Sequence, residues 1–416
     1  MVKGRFGKFA LVCLSVFLTV LVLEGMLRWA GFSYPNFYAT DYYAGMKLRP
    51  GAEGWWRSEG EAFIKINSAG YRDREHRKIK PRNVIRIAVL GDSYAEALQV
   101  PLEDTFWAVL EQEIKRCPSI LLRNVEVLNF GVSGYGTAQE LMTLRHHVWE
   151  YSPDLVLLAF LTANDVRNNL LALERDSLRP YFVYDGKGDL LLDVSFRNTW
   201  GFRLRQWRYL YLALDHSRVL QLMNMARHRL RARIAWSNGL KFLESGIAEA
   251  AKDRDSDVDP GRNAADGDAA VYMKPSSPLW QEAWRVTEGI ILMMRDEVRM
   301  KGADFLIVTL TNGDQVHPSV EQRRAAAQAL NIEDLLYPDL RIADFARRHG
   351  IEVLTLVPEF RRHAEQNGVY LHGFPNGTLG GGHWNRTGHY LAGRLIADKV
   401  CPWLQAASAE NKERMP

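Results

Sequence analysis

Hydrophobic positions follow three different rhythms along the 416 residues. The first is an apolar run, Phe9–Leu23, interrupted by Glu24 and resumed to Leu27, with Lys3, Arg5 and Lys8 ahead of it. Nineteen helical residues at ~1.5 Å each extend roughly 28 Å, close to the ~30 Å of a bilayer core. Basic residues on the short N-terminal side predict that this side stays in the cytoplasm and that the chain after Arg28 is exported. Residues 1–30 therefore read as a cytoplasmic tip and a single-pass signal anchor in the cytoplasmic (inner) membrane. A cleaved signal peptide competes with this reading, because the run also has the length of an h-region. No small-x-small cleavage site follows it, however. Cys13 lacks the small residues before it that lipoprotein processing needs.

From Pro81 the rhythm becomes an alternation of apolar strands and amphipathic helices. Val84–Leu90, Val125–Phe130, Leu155–Phe160, Phe305–Leu310 and Val353–Val357 predict five strands. Phe106, Val109, Leu110 and Ile114 recur at helical spacing after Asp104, a candidate N-cap. Trp284–Arg299 and Ile342–His349 repeat the helical pattern before the last two strands. Such alternation implies a mostly parallel sheet with helices on both faces, whose chemistry gathers at the carboxyl ends of its strands.

The alternation breaks between Asn168 and about Pro278. Val219, Leu222, Met223, Ala226 and Leu230 form one apolar stripe; Trp207, Leu210, Tyr211 and Leu214 form another one helix earlier. Lys252–Ala270 is a polar Asp/Gly/Ala tract that reads as a mobile loop. The chain thus divides into the anchor, a juxtamembrane lead-in (31–80), an α/β domain in two parts (81–168 and 281–405), an arginine-rich helical insertion (169–280) and a tail (406–416).

Composition refines this picture at one place. The formal net charge is +4, yet Thr199–Lys241 holds eight arginines and one lysine against Asp215 alone, so the rest of the chain sums to −4. Basic character confined to one segment does not describe a general nucleic-acid binder. The segment reads either as two amphipathic helices packed on the α/β domain with a solvated basic face, or as a surface for anionic lipid or acidic polysaccharide. Three cysteines without C-x-x-C spacing exclude a disulfide scaffold and a structural zinc site. No H-E-x-x-H and no phosphate loop is present, so neither a metal nor a cofactor is expected.

The candidate chemistry lies where the strands end. The first strand runs into Gly91-Asp92-Ser93, the second into Asn129-Phe130-Gly131-Val132-Ser133-Gly134, and the third into Thr162-Ala163-Asn164-Asp165. Gly382-His383-Trp384-Asn385-Arg386-Thr387-Gly388-His389 precedes the last helix. A serine at a strand end can present its hydroxyl above the sheet as a nucleophile, and His383 is the candidate base. The backbone N–H groups of Ser93 and Gly134 and the Asn164 amide would hold the oxyanion of an acyl-transfer intermediate. Asp92 and Asp165 read as turn fixtures, and His389 as a helix-start or packing residue.

These four blocks resemble those of the SGNH, or GDSL, hydrolase superfamily, whose lettered residues fall by motif on Ser93, Gly134, Asn164 and His383. The lead-in Ile66-Asn67-Ser68-Ala69-Gly70-Tyr71-Arg72-Asp73 resembles that of membrane-anchored bacterial members. The resemblance implies a flavodoxin-like three-layer sandwich and metal-free ester hydrolysis or acyl transfer. It also implies that the ends of the first and last helices are neighbours, which makes Cys117 and Cys401 a candidate disulfide.

Two positions depart from the family pattern. Thr162 stands where glycine usually opens the third block. Gly380 stands where an aspartate usually precedes the histidine by three residues, and no acid lies between Leu371 and Gly382. The expectation is a Ser93–His383 dyad supported by a backbone carbonyl, or an acid arriving from elsewhere, with Glu359 and Asp314 as candidates. Three functions stay open: an extracytoplasmic esterase acting on an O-acyl (acetyl) ester of a glycan or lipid; an O-acyltransferase taking acyl groups from a membrane partner; and a non-catalytic module that keeps the fold.

Overall fold

The computed structural model describes residues 2–117, 124–162, 164–206, 213, 215–227, 230 and 268–413. The stripe at Trp207–Leu214 and most of the Asp/Gly/Ala tract lie outside the described residues. The chain forms two compact units. The first comprises residues 2–37, 53–55 and the described residues between 206 and 230; the second holds everything else. The lead-in is thereby divided, with 38–52 and 56–80 belonging to the second unit.

The second unit is built on five strands: β1 (Val84–Gly91), β2 (Asn124–Asn129), β3 (Leu155–Leu161), β4 (Asp304–Leu310) and β5 (Glu352–Thr355). Their order in the sheet is β5-β4-β3-β1-β2, and every pairing is parallel. Numbered along the chain this is 2-1-3-4-5, the flavodoxin-like doubly wound order. Strand side chains alternate between two cores, as a pleated strand requires. Ala88, Leu90, Leu128, Val156, Leu158 and Ile307 enter one, packed with Leu141, Trp284 and Ile290. Ile87, Val89, Val127, Leu157 and Val308 enter the other, packed with Phe106, Leu110, Phe360 and Ile396. The central β3 buries all seven of its residues, which explains its continuous apolar sequence.

Two predicted boundaries move. The helix Phe106–Ile114 is capped by Thr105, whose side chain accepts from the Ala108 N–H. Asp104 sits one residue earlier in a 3₁₀ turn and pairs with Arg386 at 3.0 Å. The fifth strand ends at Thr355, because Pro358 is pre-organised for the first turn of the helix Val357–Asn367. Cys117, just beyond the first of these helices, is joined as a disulfide to Cys401 in the helix Arg386–Glu413, with Cα atoms 6.1 Å apart.

The lead-in is wired into the sheet. Arg72 is buried and donates to the carbonyls of Glu96, Ala97 and Val100, just after β1. Asp73 accepts from the Asn129 N–H at 2.8 Å, and the Asn129 amide returns a bond to the Arg72 carbonyl at 3.1 Å. The Asn-Ser-x-Gly-Tyr-Arg-Asp sequence is therefore a clamp on the ends of β1 and β2. In the first unit, Val2–Trp29 is one helix; within its stretch Gly7–Trp29 an 18-residue window reaches a mean hydropathy of 2.4, and none of that window is buried. It is long and apolar enough to cross a membrane.

Candidate active site

The strand order reverses between β1 and β3, where crevices open above the carboxyl ends of a doubly wound sheet. Three of the sequence blocks converge on this edge. Ser93 follows β1 and starts the one-turn helix Ser93–Glu96, whose N-cap is Asp92; the Asp92 carboxylate accepts from the Tyr94 N–H at 3.0 Å. The turn is tight enough to demand glycine around it. A Cβ on Gly91 would stand 2.9 Å from the Ala95 Cβ, and one on Gly131 would stand 2.4 Å from it.

His383 is brought to the serine by the loop between residues 371 and 386. Its Nε2 lies 2.8 Å from the Ser93 Oγ. Its Nδ1 lies 2.6 Å from a carboxylate oxygen of Glu59, and the other oxygen of that carboxylate accepts the His383 backbone N–H at 2.8 Å. With Nδ1–H donating to Glu59, Nε2 is left to accept the serine hydroxyl. Burial works to raise the Glu59 carboxyl, but the His383 hydrogen bond and charge outweigh it and hold the group below its usual range.

Glu59 corrects the reading of the acid. His383 Nδ1 meets a carboxylate rather than a backbone carbonyl, so the pair is not a bare dyad. Neither expected donor supplies it: Glu359 pairs with Arg362 at the surface, and Asp314 is exposed in the 3₁₀ turn Gly313–Gln315. Glu59 comes from the lead-in instead, 324 positions before its partner. Trp56 Nε1 donates to the Glu59 carbonyl at 3.0 Å, and Asn376 brackets Gly60 with two bonds of 2.9 Å. A Cβ on Gly60 would stand 2.2 Å from the Gln99 carbonyl oxygen, so only glycine lets this turn close.

The glycine run before His383 is the other half of that arrangement. Gly382 has φ +67°, and a Cβ there would fall 2.1 Å from the Glu59 carboxylate. Gly380, at the position of the family aspartate, has φ +82° and would bring a Cβ to 3.0 Å from the Tyr370 ring. The space that Glu59 occupies is the space a side chain on Gly382 would need, while Gly380 is kept bare by its left-handed backbone and the Tyr370 ring. A run of three glycines where an acid is expected was the available sequence signal. Nothing local marked Glu59 itself.

The loop is fixed from below by His372, which is buried. Trp384 Nε1 donates to the Thr311 hydroxyl at 2.8 Å, and that hydroxyl lies 2.9 Å from His372 Nε2. His372 Nδ1 meets the Gly382 carbonyl at 2.9 Å, which also accepts from the Tyr94 hydroxyl at 2.9 Å. Burial lowers the His372 pKa to about 4, against the pull of the Gly382 bond, so the ring is neutral at pH 7.

Asn164 follows β3 and donates from Nδ2 to Asp92 at 3.1 Å, while its Oδ1 is buried and meets no hydrogen-bonding partner among the described residues. Gly134 follows β2 with φ +75°, and among the described residues a Cβ on it would meet only Arg179, at 3.7 Å. Asp165 accepts the Leu161 N–H at 2.8 Å and so closes the turn after β3. His389 is buried, stacks on Phe106 and accepts the Phe106 N–H at 3.2 Å.

No family model and no curated protein matches the chain. Solved structures similar to it include an acetyl xylan esterase at 12% identity, covering 77% of this chain and 99% of that one with a TM-score of 0.35. An alpha/beta hydrolase enzyme from the metagenome of Lake Arreo, Spain, is also 12% identical, over 77% and 96%, with a TM-score of 0.35. An acetylxylan esterase of Geobacillus stearothermophilus, solved as a catalytic mutant, is 10% identical over 78% and 96%, with a TM-score of 0.36. At such identities and scores nothing about chemistry transfers from them.

Proposed function

We propose that this chain is a membrane-anchored serine esterase of the SGNH type, working on an O-acyl ester outside the cytoplasm. The observation that carries the reading is the unbroken hydrogen-bond chain from Ser93 through His383 to Glu59. In the reaction, Ser93 Oγ attacks the acyl carbon as its proton passes to His383 Nε2. Glu59 stabilises the imidazolium and keeps the tautomer that can accept that proton. The Ser93 and Gly134 N–H groups and the second N–H of the Asn164 amide, the first being engaged by Asp92, receive the oxyanion. His383 then protonates the leaving alkoxide, and water releases the acyl group by the same steps in reverse.

The compartment rests on the Gly7–Trp29 helix and its basic N-terminal flank: basic residues ahead of a span favour a cytoplasmic N-terminus and an exported remainder. Acylated glycans and lipids are the esters that meet an enzyme there. The same helix favours a second reading, O-acyl transfer, because it would bring the acyl-enzyme to a membrane-borne donor. The non-catalytic reading drew its support from the vacancy at Gly380, and a carboxylate on His383 Nδ1 removes that support. The test is turnover of an aryl acetate by the full chain in detergent micelles. Acetate release that Ser93→Ala lowers by about 10⁶-fold is expected; release unchanged in that variant overturns the reading. Transfer rather than hydrolysis would appear as acetate release that drops when an acceptor oligosaccharide is added at constant ester consumption.

A further inference from the structure

The first unit places a second helix against the outer end of the apolar one. Residues 218–227 are helical, and the start of this helix is capped from outside by Glu24. The Glu24 carboxylate accepts the N–H groups of Arg218 and Val219 at 2.9 and 3.0 Å and the Ser217 hydroxyl at 3.1 Å. Arg28 binds the same carboxylate at 2.8 Å and the His216 carbonyl at 2.6 Å. A carboxylate inside an apolar span is expensive and needs partners. Here it has them, and all but Arg28 lie beyond any point at which a signal peptide would be cut.

The depth of this cap follows from helix rise. Glu24 stands roughly 26 Å along the axis from Gly7 and about 7 Å short of Trp29, near the outer edge of a ~30 Å core. Trp29 is 92% exposed and marks the interfacial level. The two sides of the second helix differ. Arg218 bonds the Ser33 hydroxyl at 3.1 Å, and Gln221 accepts the Tyr34 N–H at 2.9 Å, which ties one face to the chain leaving the span. At ~100° per residue, Leu220, Met223 and Arg227 lie about opposite that face. Met223 is 63% exposed and Leu230 59%.

We propose that this helix lies in the outer leaflet of the membrane, with Leu220, Met223 and Leu230 in the acyl-chain boundary. The inference rests on the anchor reading above. The bilayer is the occupant because the helix starts at the interfacial end of the membrane-spanning helix and its apolar face lies opposite the side tied to Ser33 and Tyr34. Arg227, in the middle of the face, donates to the Asn224 side chain at 3.1 Å and would turn its remaining N–H groups to lipid phosphate. The arrangement would hold the chain by two contacts and account for a basic segment on the exported side.

The experiment uses the full chain carrying Cys13→Ser, with the Cys117–Cys401 bridge kept oxidised, in phosphatidylethanolamine/phosphatidylglycerol vesicles. Single cysteines from Met223→Cys, Leu230→Cys, Phe17→Cys and Leu340→Cys carry an environment-sensitive fluorophore. Probes at 223 and 230 are expected to be quenched several-fold more by shallow nitroxide lipids than by aqueous iodide. The probe at 17 should respond to deep nitroxide lipids, and the one at 340 to iodide alone. Iodide quenching at 223 and 230 with deep quenching at 17 overturns the inference and leaves the anchor standing. Iodide quenching at all four positions overturns both.

Discussion

The strand ends and the lead-in contribute to the same site in opposite ways. Ser93, Gly134 and Asn164 owe their positions to local backbone: a strand stops, a tight turn follows, and the side chain or N–H is left at the sheet edge. Glu59 owes its position to a docking event, in which a turn of the lead-in closes on a glycine run more than three hundred residues away. Local devices leave a pattern in the sequence, whereas a docked residue leaves only a hole in its partner. Gly382, at the end of the glycine run, marks that hole.

The comparison sharpens first at Glu59. Glu59→Gln should lower kcat by about 10⁴-fold, by favouring the wrong tautomer of His383, while KM and the melting temperature stay near wild type. Glu59→Asp should restore part of kcat, whereas Asp314→Asn and Glu359→Gln should leave it unchanged. A steady-state comparison of the four variants measures this, and a wild-type kcat in Glu59→Gln would break the distinction between the two regions.

Next in size is Gly382→Ala. Its Cβ would enter the Glu59 carboxylate and displace the relay by an ångström or so, which should cost about 100-fold in kcat. A related outcome concerns Gly380→Asp in the Glu59→Gln background, which places an acid at the family position. No recovery of kcat is expected, because the left-handed backbone and the Tyr370 ring keep that side chain from the histidine. Recovery in that double variant would mean that the loop is free to rebuild, and that docking does not dictate the acid.

The smallest effect concerns the histidine under the loop. His372 stays neutral in the fold down to about pH 4, whereas an unfolded histidine protonates near 6.5. Between these values the unfolded chain binds the extra proton, so this site's contribution to stability falls as pH drops from 6.5 towards 4. The loss should reach about 3 kcal/mol. Thermal melting followed by tryptophan fluorescence should show a shallower acid dependence for His372→Asn than for wild type. Parallel curves would remove His372 as the acid-sensitive support of the His383 loop.

Legibility in the sequence followed the same division. The five strands could be read because β-branched apolar runs ended in glycine and polar turns, and their placement was right to within a residue or two. Strand five was overrun at its end because Val357 continues the apolar run, although Pro358 already belongs to a helix. Asp104 reads from sequence as the cap, whereas Thr105 takes that role through the Ala108 N–H and Asp104 pairs with Arg386, a partner that no local pattern marks. Arg72 and Asp73 looked like a motif without a task, and their task as a clamp on β1 and β2 exists only once the sheet has formed. The apolar stripe Val219–Leu230, in its basic segment, reads from sequence either as packing on the α/β domain or as a surface for anionic lipid or acidic polysaccharide. Its described part belongs to the unit of the N-terminal helix, through a glutamate that from sequence alone looked like a blemish in an apolar run.

The most direct measurement is the rate at which a fluorophosphonate labels Ser93 in the full chain and in Glu59→Gln, followed across pH. The account expects fast labelling of wild type, none in Ser93→Ala, and labelling of Glu59→Gln slowed by about 10³-fold or more at neutral pH. Labelling of a folded Glu59→Gln chain at the wild-type rate would contradict it, because His383 would then activate the serine without the acid that the lead-in brings.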